Sequence, residues 1–114
     1  MADNVLFARR LKSARLRKAQ SMGFKDERGF PQERLGVEAG IDEASASARI
    51  NQYEQGTRLP DLKMAARLAD VLGVPMAYLF CPEDDLAELL LAAYALDPVK
   101  RMEALEDIEG RARD

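Results

Sequence analysis

Three residues with special backbone properties, Pro31, Gly40 and Gly56, divide the middle of this sequence and limit how it can fold. Proline suits the first turn of a helix because its missing N–H needs no partner there. Glycine readily takes the left-handed conformation that ends a helix. Apolar residues recur at helical spacing between these three points. The pattern therefore predicts two short helices, at about 32–39 and about 43–55, joined by a tight turn at Gly40.

Side chains within these two helices suit a close crossing. Small residues lie where the helices are expected to touch, at Gly36, Ala39, Ala44, Ala46 and Ala48. Ile50 is the apolar residue expected to face inward from the second helix, and Asp42 is expected to cap that helix through its side-chain oxygen. Two short helices arranged in this way form a helix-turn-helix.

Roughly residues 9–19 and 31–80 of the chain resemble the DNA-binding domain of the Cro/C1 (xenobiotic-response-element, or XRE, type) repressors. The matching residues are Gln32, Gly40, Ile50, the run Tyr53–Pro60, Leu62, Ala65, Leu68, Ala69 and Leu72–Pro75. The resemblance implies an all-α, lambda-repressor-like five-helix domain over residues 1–81. It also implies a transcriptional regulator that binds double-stranded DNA, usually a repressor. No catalytic residues, cofactor or metal are expected.

The spacing differs from the usual family pattern in two places. The connection at residues 20–31 is longer than usual, and the segment from Gly40 to Glu54 is longer by about four residues, or one helical turn. The second helix of the pair corresponds to the recognition helix of the family, the one that meets the bases. Either this recognition helix begins a turn early or the turn before it is enlarged.

The long connection itself has two interpretations. Phe24 and Phe30 flank a polar tip, Lys25–Arg28. The segment is either a surface loop anchored by two aromatic rings or a loop that contacts the DNA backbone through Lys25 and Arg28. We favour the anchored surface loop.

A first helix is predicted from Asn4 to Ala19, where apolar residues alternate with six basic ones. Taken alone, the basic residues suit a solvated helix face. In the resembled family, an arginine of this helix pairs with the glutamate that closes the recognition helix. The resemblance therefore implies a structural ion pair between Arg15 and Glu54. It also implies phosphate contacts from Gln32, Thr57 and Arg58.

The outward side of the second helix of the pair carries the residues expected to meet base pairs. They are Ser45, Ser47, Ala48, Arg49 and Gln52. Arg49 suits a bidentate contact to guanine and Gln52 a contact to adenine, each discriminating by about 1–3 kcal/mol. Asn51 suits either a phosphate contact or plain exposure to solvent.

Charge is divided unevenly along the chain, whose net charge is −3. Residues 1–67 hold 13 Lys or Arg against 9 Asp or Glu, and residues 68–114 hold 4 against 11. The half that contains the helix-turn-helix is therefore positive, as contact with phosphate requires, and the other half is acidic.

Composition argues against several other classes of protein. No histidine is present, which removes the commonest general base and metal ligand. No apolar run reaches about 18 residues, so no membrane span is expected. The single cysteine, Cys81, agrees with a cytoplasmic protein. The carboxylates at 83–85 suit the start of a helix better than a magnesium site.

Residues 82–114 are predicted to form an acidic helical extension with two apolar stripes. The first contains Leu86, Leu89, Leu90, Ala93 and Leu96, and the second contains Val99, Met102, Leu105 and Ile108. Either both helices fold back on the domain or they form a homodimer interface, which we favour. A different function would make the protein an antitoxin or adaptor that binds a protein partner through residues 83–108.

Overall fold

A computed structural model describes residues 3–114 and contains seven α-helices and no strand among them. The helices are α1 (Asp3–Ser21), α2 (Gln32–Glu38), α3 (Glu43–Gln55), α4 (Leu62–Leu72), α5 (Met76–Leu79), α6 (Asp84–Tyr94) and α7 (Pro98–Arg113). A short 3₁₀ turn lies at Glu27–Gly29, between α1 and α2. The fold is all-α with a helix-turn-helix formed by α2 and α3, as the sequence predicts.

One apolar core joins the first five helices. Its largest fully buried side chains are Phe7, Leu11, Phe30, Leu35, Ile50, Leu68 and Leu79. Leu62, which follows the family pattern at the apolar positions of α4, lies outside this core, since its side chain is 69% exposed. The reason is its position as the first residue of α4, one turn before Ala65, where that helix first enters the core.

The turn between α2 and α3 is short, so the additional residues of this segment lengthen the recognition helix. Gly40 has a φ of +95°, and α3 begins at Glu43, three residues later. Asp42 lies at the N-cap position, but its side chain makes no capping bond, contrary to the sequence-based expectation. Its backbone carbonyl instead accepts the N–H of Ser45 at 2.9 Å.

Helices α2 and α3 cross so closely that Gly36 has no room for a side chain. A Cβ built on Gly36 would lie 2.7 Å from the Cβ of Ala46 and 3.0 Å from its Cα. This contact fixes the distance between the two helices, and hence where the outer face of α3 lies.

Gly36→Ala is expected to destabilise the fold by about 1–3 kcal/mol, because the added methyl group overpacks this crossing. Gly110→Ala in α7 is the control. Its Cβ would meet only a side-chain nitrogen of Arg113, at 3.9 Å. The control should stabilise by about 0.5–1 kcal/mol, the usual helical preference for alanine. Denaturant unfolding measures both variants, and stabilisation of the Gly36 variant would contradict the tight crossing.

The connection between α1 and α2 is anchored by one aromatic ring rather than two. Phe30 is fully buried in the core, whereas Phe24 is 51% exposed. The ring of Phe24 lies where a side chain on Gly29 would project, so that a Cβ at Gly29 would collide with it. Phe24 therefore covers the backbone of the 3₁₀ turn from outside.

Helix α6 is attached to α1 by an arginine that the sequence placed on a solvated face. Arg10 is only 6% exposed. Its Nε donates to the carbonyl of Cys81 at 3.0 Å, and its Nη2 donates to Oδ1 of Asp84 at 2.9 Å. The carboxylate of Asp84 thus joins α6 to α1, while Glu83 at the N-cap position makes no side-chain capping bond.

The last helix, α7, packs against α6 but has no buried side chain. Large apolar residues of both helices are about half exposed or more, at Leu86, Leu89, Val99, Met102, Leu105 and Ile108. Of α6, Ala87 is buried and Leu91 is partly buried against the core. Within residues 3–114, no helix combines the length and the apolar character needed to cross a membrane.

Candidate nucleic-acid interface

The outer face of α3 is open to solvent. Ser45, Ser47, Ala48, Asn51 and Gln52 are exposed, while Ala46, Ile50 and Tyr53 on the opposite side are buried. Arg49 is half-buried at one edge of this face. The face therefore presents short polar side chains and a methyl group, and the glutamate near its end, Glu54, is turned inward.

A buried guanidinium holds this helix in place. Arg15 donates from Nε to Oε2 of Glu54 at 2.7 Å and from Nη2 to Oε1 at 2.9 Å. Its Nη1 donates to the carbonyls of Glu27 and Phe30, at 2.9 and 3.0 Å. The side chains of Arg15 and Glu54 are 5% and 2% exposed. One residue of α1 thus joins the end of α3 to the long connection.

The carboxylate of Glu54 also sets the orientation of two amides at the surface. Nε2 of Gln32 donates to Oε1 of Glu54 at 3.0 Å and to Oδ1 of Asn51 at 3.3 Å. A carboxylate only accepts, so Gln32 must present its NH₂ group here. The carbonyl oxygen of Asn51 then faces Gln32. The Nδ2 hydrogens of Asn51 remain as its donors.

A small cleft beside α3 concentrates positive charge. It has a volume of about 180 Å³ and is lined by Arg49, Tyr53, Arg58, Leu59, Pro60, Asp61, Lys63, Met64 and Arg67. We call it the basic cleft. The resemblance pointed to Arg58, but it gave no sign of Lys63 or Arg67. Two cations one turn apart on an exposed helix usually indicate only a solvated face.

Comparisons with known proteins agree with this arrangement. A family model described as helix-turn-helix, of the XRE type, matches residues 24–79. A solved structure described as the transcriptional regulator BswR is 46% identical, with a TM-score of 0.76. The similarity covers 90% of this chain and 92% of that one. No curated protein matches. The chain belongs to the XRE-type helix-turn-helix family of transcriptional regulators. It is therefore a DNA-binding regulator.

The exit from the recognition helix of this regulator is a compact turn. Gly56 caps α3 with a φ of +75°. Thr57 then closes the helix, because its N–H and its hydroxyl both donate to the carbonyl of Gln52, at 3.1 and 3.2 Å. Arg58 is exposed and lines the basic cleft. The hydroxyl of Thr57 is thus already used as a donor, whereas Arg58 has its donors available.

The long connection of this family member borders the same surface. A second cleft of about 540 Å³, lined by Arg15, Glu27, Arg28, Pro31, Gln32, Glu33 and Ser47, lies between the connection and the outer face of α3. Arg28 is engaged by its neighbour, with Nη2 donating to Oδ2 of Asp26 at 2.8 Å. The hydrogen bond from the Arg28 side chain lowers the pKa of Asp26. Arg28 is therefore a weaker candidate for phosphate contact than Arg58.

Residues 3–114 contain no group of three or more His, Cys, Asp or Glu placed to hold a metal ion.

Proposed function

We propose that this regulator recognises a specific, near-palindromic operator as a homodimer and represses transcription by blocking access of the polymerase. It would act in the cytoplasm. The observation that carries the proposal is the open outer face of α3 beside a cleft of cations, with Glu54, the glutamate near the end of that helix, buried in an ion pair.

Base reading is assigned to the exposed face of α3, which would lie in the major groove. The proposed contacts to bases come from Ser45, Ser47, Ala48, Arg49 and Gln52. Arg49 offers a fork of donors that matches guanine, and Gln52 offers a donor and an acceptor that match adenine. The two serines are less selective, and Ala48 offers only a methyl contact to thymine.

Phosphate contacts are assigned to the residues around that face. They are Gln32, Asn51 and Arg58, while Thr57, whose N–H and hydroxyl both donate to the carbonyl of Gln52, holds the turn that presents Arg58. For Gln32, both amide hydrogens are occupied, so the contact would come from the backbone N–H groups of the first turn of α2, which lack partners within the helix. For Asn51, the interaction with Gln32 supports a phosphate contact through Nδ2.

Selection of binding sites from random duplex DNA tests this proposal. The wild-type protein should enrich a two-fold symmetric motif. Arg49→Ala and Gln52→Ala should each relax the preference at particular positions, by about 1–3 kcal/mol for each base contact. Lys100→Ala, an exposed cation on α7, should leave the motif unchanged.

The pattern of loss decides between roles. An equal loss on all sequences would move Arg49 or Gln52 to the phosphate-contacting class. Failure of the wild-type protein to enrich any sequence would contradict the proposal.

A second function is supported by the apolar side chains that α6 and α7 expose. An antitoxin or adaptor would use residues 83–108 to bind a different protein. In that case the purified protein would form a stable complex with a toxin encoded by a neighbouring gene. Arg49 and Gln52 would then be dispensable for the function of the protein.

A further inference from the structure

The basic cleft contains four cations without carboxylate partners. Among residues 3–114, each of the arginines 9, 10, 15, 17, 28, 34 and 111 forms an ion pair with an acidic residue. Arg49, Arg58, Lys63 and Arg67 are in none of those pairs, although all four line one cleft of about 180 Å³. Like charges held together in this way repel one another unless an anion lies between them.

One acidic residue does line the cleft, but it has another role. Oδ1 of Asp61 accepts the N–H of Met64 at 2.8 Å and so caps α4. Even when the full negative charge of Asp61 is counted, the four cations leave the cleft strongly positive. The cleft thus lacks an internal counter-charge that matches its cations.

The size of the cleft indicates what kind of anion fits. Pockets for small organic ligands usually have volumes of about 300–1,000 Å³. The basic cleft is smaller, at about 180 Å³, and its residues Arg58, Lys63 and Arg67 are exposed to solvent. A single phosphate group of a chain that continues beyond the cleft suits this shape better than a free metabolite does.

We propose that the basic cleft clamps one backbone phosphate of the DNA, with Lys63 and Arg67 acting together with Arg58. This makes α4 a third DNA-contacting helix beside α2 and α3, and the inference rests on the proposed function. Arg49 lines the cleft and also belongs to the outer face of α3. The clamped phosphate would therefore lie close to the bases that α3 reads and would fix the register of that helix on the duplex.

The neighbourhood of Arg67 supports a positioning role for the clamp. Its Nη1 is 3.6 Å from the place where a Cβ on Gly40 would lie. The guanidinium of Arg67 is therefore beside the turn of the helix-turn-helix. A phosphate bound there would contact α4, and the turn and α3 would lie beside the same phosphate.

Salt-dependent binding to two duplexes tests the clamp, one carrying the selected motif and one of unrelated sequence. Lys63→Gln with Arg67→Gln is the test variant. Lys100→Gln with Arg113→Gln on α7 is the matched control, because it removes the same charge from exposed residues. The test variant should bind both duplexes about tenfold more weakly for each phosphate lost. Its slope of log K against log salt should fall by about one per subunit. The control should change neither.

Three outcomes would overturn the inference. If the test variant matches its control while the wild-type protein still prefers its motif, the clamp is wrong and the proposed function stands. A changed sequence preference would mean that the cleft reads bases. If the wild-type protein binds both duplexes equally, the clamp and the proposed function are both wrong. Lys63→Arg with Arg67→Lys, which keeps the charges, should retain the wild-type slope, and thermal unfolding shows that each variant is folded.

Discussion

Replacing Arg15 by alanine is expected to lower the free energy of unfolding by about 3–5 kcal/mol, the usual cost of removing one partner of a buried ion pair. Glu54 would keep a charged side chain that is 2% exposed, with only Gln32 left to donate to it. The carbonyls of Glu27 and Phe30 would also lose their donor. Chemical denaturation followed by circular dichroism measures the change.

Arg17→Ala provides the matched control on the same helix. Arg17 is 3.7 Å from Glu88, and its side chain is 51% exposed. Solvent screens such a pair, so its loss should cost no more than about 1 kcal/mol. Equal effects from the two substitutions would contradict the structural role given to Arg15.

A double variant separates the two parts of the Arg15 network. Arg15→Met with Glu54→Leu removes both charges, so it should recover much of the lost stability. Recovery should be incomplete, because the two carbonyls of the connection remain without a donor. A double variant as unstable as Arg15→Ala would mean that those carbonyl bonds, and not the orphaned carboxylate, dominate the cost.

The helix bounds around the turn could be read from the sequence because backbone chemistry determines them locally. Pro31 and Gly56 lie next to the ends of α2 and α3 in the structure, and the predicted bounds differ from the observed ones by at most one residue. The pairing of Arg15 with Glu54 came only from the family resemblance. Nothing in local spacing brings together two residues that lie 39 positions apart.

Features that depend on packing between distant helices were not predictable in the same way. The apolar periodicity of α1 does not predict that Arg10 is buried, because its hydrogen-bond partners, the carbonyl of Cys81 and the carboxylate of Asp84, are more than 70 residues away. The basic cleft likewise joins the end of α3 to one face of α4. Lys63 and Arg67 become functional candidates only when the fold places them beside Arg58.

The helical extension exposes an apolar groove between α6 and α7. Leu89 and Ile108 line a groove of about 560 Å³ between α6 and α7, and almost all of the groove's lining is apolar. Their side chains are 52% and 51% exposed. A helix of 16 residues such as α7 is marginally stable by itself in water, and this one buries no side chain. A second copy of the chain packed on the groove would supply the missing contacts.

Leu89→Asp with Ile108→Asp should therefore convert the proposed homodimer into a monomer, as measured by sedimentation equilibrium against the wild-type protein. Affinity for the full two-fold operator should fall by about 10²–10⁴, because the second recognition helix would no longer be tethered to the first. Affinity for a single half-site should not change. Val5→Asp is the control, since Val5 is 53% exposed on α1, outside the groove. A variant that stays dimeric would place another partner in the groove and would favour the adaptor function.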